Sequence, residues 1–309
     1  MSVQQLVLVL AAASLPLLRA APLRGQETPV FSAHSELVVL HVTVRDRKNA
    51  YVGDLSQNAF AVVEDGQAQS VKLFSDTDTP VTVGLLVDGS ASMFGNRSLA
   101  VTGAAEFVNA SGKDDELFAL AFNEIVTPAL PPDRPFTRDS EVLREGLERT
   151  IIARGRTALY DAISAGVDHL ARGSRERKAL VVLSDGGDNA SRTSRERAVR
   201  KALESNAVVY TIALIEPGMR GTNPHLLEEL SESTGGRSFR PSRAKDLPGI
   251  LRDIALEIRN TYTIGYTSTN TARDGSFRRV RVVVTAPPGR PVVVRSRTGY
   301  VAGRAAETQ

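Results

Sequence analysis

Four stretches of this chain are almost continuously apolar: Val81 to Val87, Leu117 to Phe122, Ala179 to Leu183 and Val208 to Leu214. A strand with one wet face alternates apolar and polar residues, so runs without alternation belong to strands covered on both faces. Helical patterns lie between them. Leu159, Ala162, Ile163, Gly166, Val167 and Leu170 recur at spacings of three and four, on one helical face, and Leu226, Leu227 and Leu230 behave likewise. Strands alternating with helices predict an α/β fold over about residues 78–258, a doubly wound and mostly parallel sheet with helices on both faces.

The flanks read differently. Leu37 to Val44 is apolar and β-branched, and Phe60 to Val63 runs into Glu64-Asp65-Gly66, a hairpin-type turn for which Val71 to Phe74 is the expected return strand. Beyond Asn260 come Thr261 to Ser268, a turn at Arg273-Asp274-Gly275, and Phe277 to Thr285, where Val280, Val282 and Val284 share one face and Arg279 and Arg281 the other. Pro287-Pro288-Gly289 then turns the chain into Val292 to Arg297, with Arg295 and Arg297 on one face. These arginines are expected to line solvated strand faces. Neither residues 30–76 nor residues 260–301 supply enough strands for a core alone, so together they are expected to form a small β-sandwich with the α/β region inserted between its halves.

The chain has no cysteine, which excludes disulfides, thiolate metal sites and a cysteine nucleophile. Its net charge of +3 comes from bases scattered among acids, a solvated surface rather than a nucleic-acid footprint. Leu6 to Leu18 is a mostly apolar stretch followed by small residues, too short to span a bilayer comfortably and suited to the core of a signal peptide over residues 1–25, although no Lys or Arg precedes it. Export to the periplasm, cell envelope or extracellular space is the expectation, with no integral membrane span after cleavage. A polar linker, Arg24 to Pro29, follows.

Ligands of open parallel sheets bind beyond the carboxyl ends of the strands. The first α/β strand ends in Asp88-Gly89-Ser90-Ala91-Ser92, one carboxylate and two hydroxyls, the oxygen donors that hard cations prefer. More donors arrive at matching places. Thr157 stands at the mouth of the amphipathic helix, and Asp185 directly follows a buried strand, with Gly186 and Gly187 permitting a tight turn. Each element alone has an ordinary explanation, a turn for Asp-Gly-Ser and a helix N-cap for Thr157. The combination, in this order and at strand and helix ends, points to a divalent-cation site.

Asp88-x-Ser90-x-Ser92, Thr157 and Asp185 together resemble the complete metal-ion-dependent adhesion site of von Willebrand factor type A (VWA) domains. Residues 83–93 (VGLLVDGSASM) and 183–189 (LSDGGDN) are similar to that family over about 180 residues, and Phe60-x4-Asp65-Gly66, Tyr262-x3-Tyr266 and Gly299-Tyr300 resemble the bacterial, acidobacterial-type VWFA-related proteins. The resemblance implies a Rossmann-like VWA sheet and a role for each residue. Ser90 and Ser92 bind the ion through their hydroxyls, Thr157 joins them when a ligand is engaged, and Asp88 and Asp185 act largely through water. Mg²⁺ is the expected ion, with Mn²⁺ and Ca²⁺ as alternatives, and one coordination position is left for an Asp or Glu of a protein partner. It also implies that ligand exchange can accompany movement of the last helix, about residues 243–258. Asp161, one helical turn after Thr157, is placed to orient it, while surface solvation explains Asp161 and Asp188 equally well.

The expected function is thus divalent-metal-dependent protein binding in adhesion or assembly. The alternatives are a structural envelope module that binds through its β-sandwich and has a purely structural metal site, and a Mg²⁺-dependent hydrolase. The chain contains no Gly-x-Ser-x-Gly elbow and no Gly-x4-Gly-Lys-Ser/Thr loop, and Asp88 has no second aspartate two residues on. It is therefore not expected to be an enzyme.

Overall fold

The computed structural model describes residues 37–215, 221–286 and 290–303. The expected signal peptide, the linker after it and the Pro287-Pro288-Gly289 turn lie outside them. Along the chain come β1 (Leu37–Asp46), β2 (Phe60–Glu64), β3 (Gln67–Gln69), β4 (Val71–Ser75), β5 (Val81–Asp88), α1 (Arg97–Ala110), β6 (Glu116–Phe122), β7 (Val126–Pro128), α2 (Ser140–Thr150), α3 (Leu159–Ala171) and β8 (Arg177–Ser184). They continue with α4 (Arg195–Glu204), β9 (Val208–Ala213), α5 (Pro224–Thr234), β10 (Ser238–Phe239), α6 (Leu247–Arg259), β11 (Tyr262–Thr267), β12 (Phe277–Val284), β13 (Val292–Arg295) and β14 (Gly299–Val301).

The four apolar runs form the middle of a six-stranded sheet of order β10-β9-β8-β5-β6-β7. Its pairs are parallel except the β6–β7 hairpin. Every residue of β5 is buried, as a strand covered on both faces requires. From β5 the chain moves to β6 on one side and later to β8 on the other, so the strand order reverses between β5 and β8. In such sheets the crevice between the two diverging strands opens at their carboxyl ends and receives ligands.

The flanking strands make two four-stranded antiparallel sheets, β13-β1-β11-β4 and β14-β12-β2-β3. Each sheet draws strands from both sides of the α/β segment. Val38, Leu40 and Val42 of β1, Val62 of β2, Tyr262 and Ile264 of β11 and Val280 of β12 share one core, so the two sheets are the leaves of a sandwich. Asp65 and Gly66 both have positive φ, 46° and 87°, the backbone of a type I′ turn. That turn brings Gln67 directly opposite Glu64, so β3, not Val71 to Phe74, is the return strand. β4 instead crosses to the other leaf and pairs with β11. A two-residue turn fixes its own register; the polar Gln67-Ala68-Gln69 hid the strand from a reading based on apolar content.

Arg279 and Arg281 are exposed as expected, but Arg297 is buried, bonded to Asn206 and set over the Tyr300 ring. The expectation of a solvated face fails there because this end of the sandwich packs against the α/β part. A buried ion pair at 2.7 Å, Arg45 on β1 with Glu257 on α6, joins the same two parts.

The flanking motifs meet inside the sandwich. Tyr262 packs against Phe60 at 4.9 Å between ring centroids, donates to Val52 O at 2.8 Å and accepts from Leu55 N at 3.1 Å. Buried Glu64 accepts from the Tyr266 hydroxyl at 2.6 Å, from Tyr300 at 3.0 Å and from Ser268. One carboxylate on β2 therefore ties the two leaves together, and burial together with that carboxylate raises the Tyr266 phenol. Glu64→Ala strips the Tyr266 and Tyr300 hydroxyls of their acceptor and is expected to cost about 3 kcal/mol or more in urea unfolding, with Glu64→Gln losing less because it retains an acceptor. If both variants unfold within about 0.5 kcal/mol of wild type, the carboxylate is not the tie between the leaves.

Candidate metal centre

β5 delivers Asp88 and β8 leads into Asp185 on the two sides of the strand-order reversal. Asp88 is 1% exposed and is gripped from behind. Its Oδ1 accepts from Ser90 N at 2.9 Å and its Oδ2 from the Ser184 hydroxyl at 2.7 Å. The Ser90 and Ser92 hydroxyls lie 3.1 Å apart and hydrogen-bond each other. Asp185 is also buried, and its Oδ1 accepts from Gly187 N at 2.8 Å. Gly186 has φ of 80°, and a Cβ there would stand 2.4 Å from Asn223 O, so the close approach anticipated for this glycine pair is real.

Thr157 precedes α3 by two residues and is not its N-cap; Ala158 holds that position without a side-chain cap. Asn189 clips Thr157 on both sides, with Thr157 N donating to Asn189 Oδ1 at 2.9 Å and Asn189 N donating to Thr157 O at 2.9 Å. Among the described residues the Thr157 hydroxyl makes no hydrogen bond, although the residue is 6% exposed. The segment before Thr157 is laced to the loop after β5, through Arg154 N to Gly89 O at 3.0 Å and Ala91 N to Gly155 O at 3.3 Å. Three loops at one end of the sheet are thereby held together. Contacts connect Asp88 with Ser90 and Ser92, bring the charge of Asp185 onto Asp88, and fix Thr157 to the loop that follows Asp185.

Asp161 and Asp188 serve that last loop. Asp161 accepts from Arg192 N and Thr193 N at 2.9 and 2.8 Å, so it anchors the loop and does not orient Thr157 directly. Asp188 accepts from Tyr160 N at 3.1 Å and from the Ser191 hydroxyl at 2.6 Å, and so satisfies a free N–H in the first turn of α3. Ser184 and Asn189 escape a sequence reading. The only signals for them are a polar residue ending an apolar strand and an asparagine that reads as a chance glycosylation match.

Neither Asp88 nor Asp185 forms an ion pair among the described residues. Burial, aided by the charge of Asp185 and opposed by the bonds from Ser184 and Ser90, pushes Asp88 up to about 6. No group of three or more His, Asp or Glu is placed to hold a metal among the described residues, so any cation here relies on hydroxyls for much of its coordination. His169, the histidine of α3, is stacked on Phe118 at 4.1 Å and bonded to Pro135 O, a packing role, and burial lowers its basicity.

A comparison with curated proteins finds no match. The solved structures do match. A von Willebrand factor type A protein from Catenulispora acidiphila is 13% identical, with 88% of this chain and 75% of that one covered and a TM-score of 0.51, a likeness of fold. The vWF domain of the type V pili tip protein Mfa5 from Porphyromonas gingivalis is 12% identical, covering 59% and 96%, with a TM-score of 0.46. Proximal thread matrix protein 1 from the mussel byssus, in a form with a zinc-occupied MIDAS motif, is 16% identical, covering 58% and 48%, with a TM-score of 0.46. The family model of the von Willebrand factor type A domain matches residues 83–253, more than half of the chain. With its mostly parallel sheet and flanking helices, the chain belongs to the von Willebrand factor type A domain family.

Proposed function

We propose that this protein is a divalent-cation-dependent protein-binding module of the cell envelope or secreted space, with residues 78–258 as the binding domain inserted into a sandwich built from 30–76 and 260–301. VWA domains are commonly protein-interaction modules, and the closer reading rests on the site. The observation that carries it is a pair of buried carboxylates that have no basic partner among the described residues, beside two serine hydroxyls 3.1 Å apart. Burying charge without compensation is costly, and a cation relieves that cost.

Ser90, Ser92 and Thr157 would hold the ion through their hydroxyls, with Asp88 and Asp185 balancing its charge. The sparse, hydroxyl-rich donor set favours Mg²⁺, with Mn²⁺ and Ca²⁺ as alternatives. With only two carboxylates around it, a bound dication supplies an electrophilic position that attracts an Asp or Glu of a partner. Ser184, Ser90 N and Asn189 would act as positioning groups, keeping the donors in place before the ion arrives.

The first test is thermal unfolding of the whole chain in EDTA and then in millimolar Mg²⁺, Mn²⁺ or Ca²⁺. A ligand at about 100 times its dissociation constant adds about 2.7 kcal/mol, a rise of roughly 5–10 °C for a chain of this size. The rise is expected in wild type and absent in Asp88→Ala; no rise with any ion moves the function to the sandwich.

Asp88 also sets a pH dependence for the metal-free chain. The unfolded chain gives up this proton near the ordinary value of 3.8 and the fold near 6, so between them the folded state carries the extra proton. The contribution of Asp88 to stability therefore falls as pH rises through that window, by roughly 3 kcal/mol once above 6. In EDTA at pH 8, Asp88→Asn is expected to unfold at higher urea than wild type, an advantage that vanishes near pH 4. A variant less stable than wild type at both pH values would mean that the carboxylate is not under strain.

A further inference from the structure

Phe94, Ile125 and Ile152 are the three most exposed large apolar side chains among the described residues, at 77%, 70% and 55%. All three stand at the carboxyl end of the six-stranded sheet. Phe94 follows Ser92 by two residues, Ile125 is in the turn between β6 and β7, and Ile152 is in the segment that leads from α2 to Thr157. Apolar side chains gathered on loops beside a site are the mark of an interaction surface, whereas single ones scattered over a protein are ordinary.

Ile125 and Ile152 line one cavity of about 290 Å³, with Phe122, Gly89 and Arg154 among its walls. Gly89 sits between Asp88 and Ser90, so the cavity adjoins the candidate metal centre. Its volume is at the foot of the range of small-molecule pockets, roughly 300–1,000 Å³, and gives room for one large side chain rather than a cofactor. Arg154 and Arg156 on the same segment are exposed and form no ion pair among the described residues; the acid beside them, Glu124, accepts from Arg156 N at 3.1 Å. Glu124 lines the hollow together with Arg154, so two arginines and one acid stand around it.

We propose that the face takes a partner segment in which an acidic residue has a large apolar neighbour within two positions, the carboxylate at the metal and the apolar side chain between Ile125 and Ile152. This rests on the metal-dependent reading above and adds the second half of the recognition. It makes Ile125 and Ile152 specificity residues that touch the partner and not the ion.

The test is selection of a cyclic heptapeptide phage library on the whole immobilised chain in Mg²⁺, with elution by EDTA. Wild type is expected to enrich peptides carrying Asp or Glu with Leu, Ile, Met or Phe within two positions. The exposed pair is replaced in Ile125→Ser/Ile152→Ser, which is expected to keep the Mg²⁺ thermal shift, to enrich acidic peptides without the apolar neighbour, and to bind a wild-type-selected peptide at least tenfold more weakly. Serine in place of the apolar residue of that peptide should weaken binding to wild type and leave binding to the double variant nearly unchanged. Acidic peptides without apolar bias on wild type, or equal affinity for both chains, would overturn the cavity assignment and leave the metal reading standing. No EDTA-eluted peptide at all would overturn both.

Discussion

Asp88 ends a strand with no exposed residue, and both of its oxygens are held from the protein side by Ser184 and the Ser90 amide. Its position follows from the sheet. A parallel sheet sends all its carboxyl ends one way, and β5, where the strand order turns, delivers Asp88 to the crevice opposite the loop after β8. The loops can be held there because each is bonded to its neighbours, Gly89 to Arg154 and Thr157 to Asn189. The fold supplies rigidity behind the carboxylate and, among the described residues, sets no basic side chain against its charge.

The α/β part was legible because burial on both faces writes itself as unbroken apolar runs. Val81 to Val87 marks β5 to within one residue. The five candidate ligands were legible because each stands where a strand or helix pattern stops. The groups that position them were not. Ser184 and Asn189 act through one hydrogen bond or a pair of them, and such contacts leave no periodic trace. Asp161 shows the opposite error. Its sequence distance from Thr157 suits a helical contact, yet its carboxylate is used by Arg192 N and Thr193 N, across a gap that no local spacing predicts.

The sandwich was harder to read because its decisive contacts are both polar and remote. Glu64, Tyr266 and Tyr300 look like surface residues of three separate strands, and their meeting around one carboxylate depends on the register of two sheets. The flanking motifs that mark the wider resemblance are thus accounted for by packing and hydrogen bonds, with Phe60 on Tyr262, Tyr262 on the Val52 carbonyl, and Tyr266 and Tyr300 on Glu64. The three most exposed large apolar side chains among the described residues, Phe94, Ile125 and Ile152, lie instead on the loops at the end of the α/β sheet.

The pairing of β1 with β11 sets Leu37 opposite Thr267. A ribosome adding about 5–20 residues per second needs on the order of 10–50 s to cover that distance. Through that interval β1 and β2 exist without the strands that complete their sheets, while the segment between them has all six strands of its own sheet. The order of synthesis therefore favours the inserted part folding first, and its closed form brings the chain on either side of it together. Until then the apolar stretch Leu37–Val44 is an open edge, available to any other extended chain in the vicinity. The α/β part is in this sense also the template on which the sandwich around it is assembled.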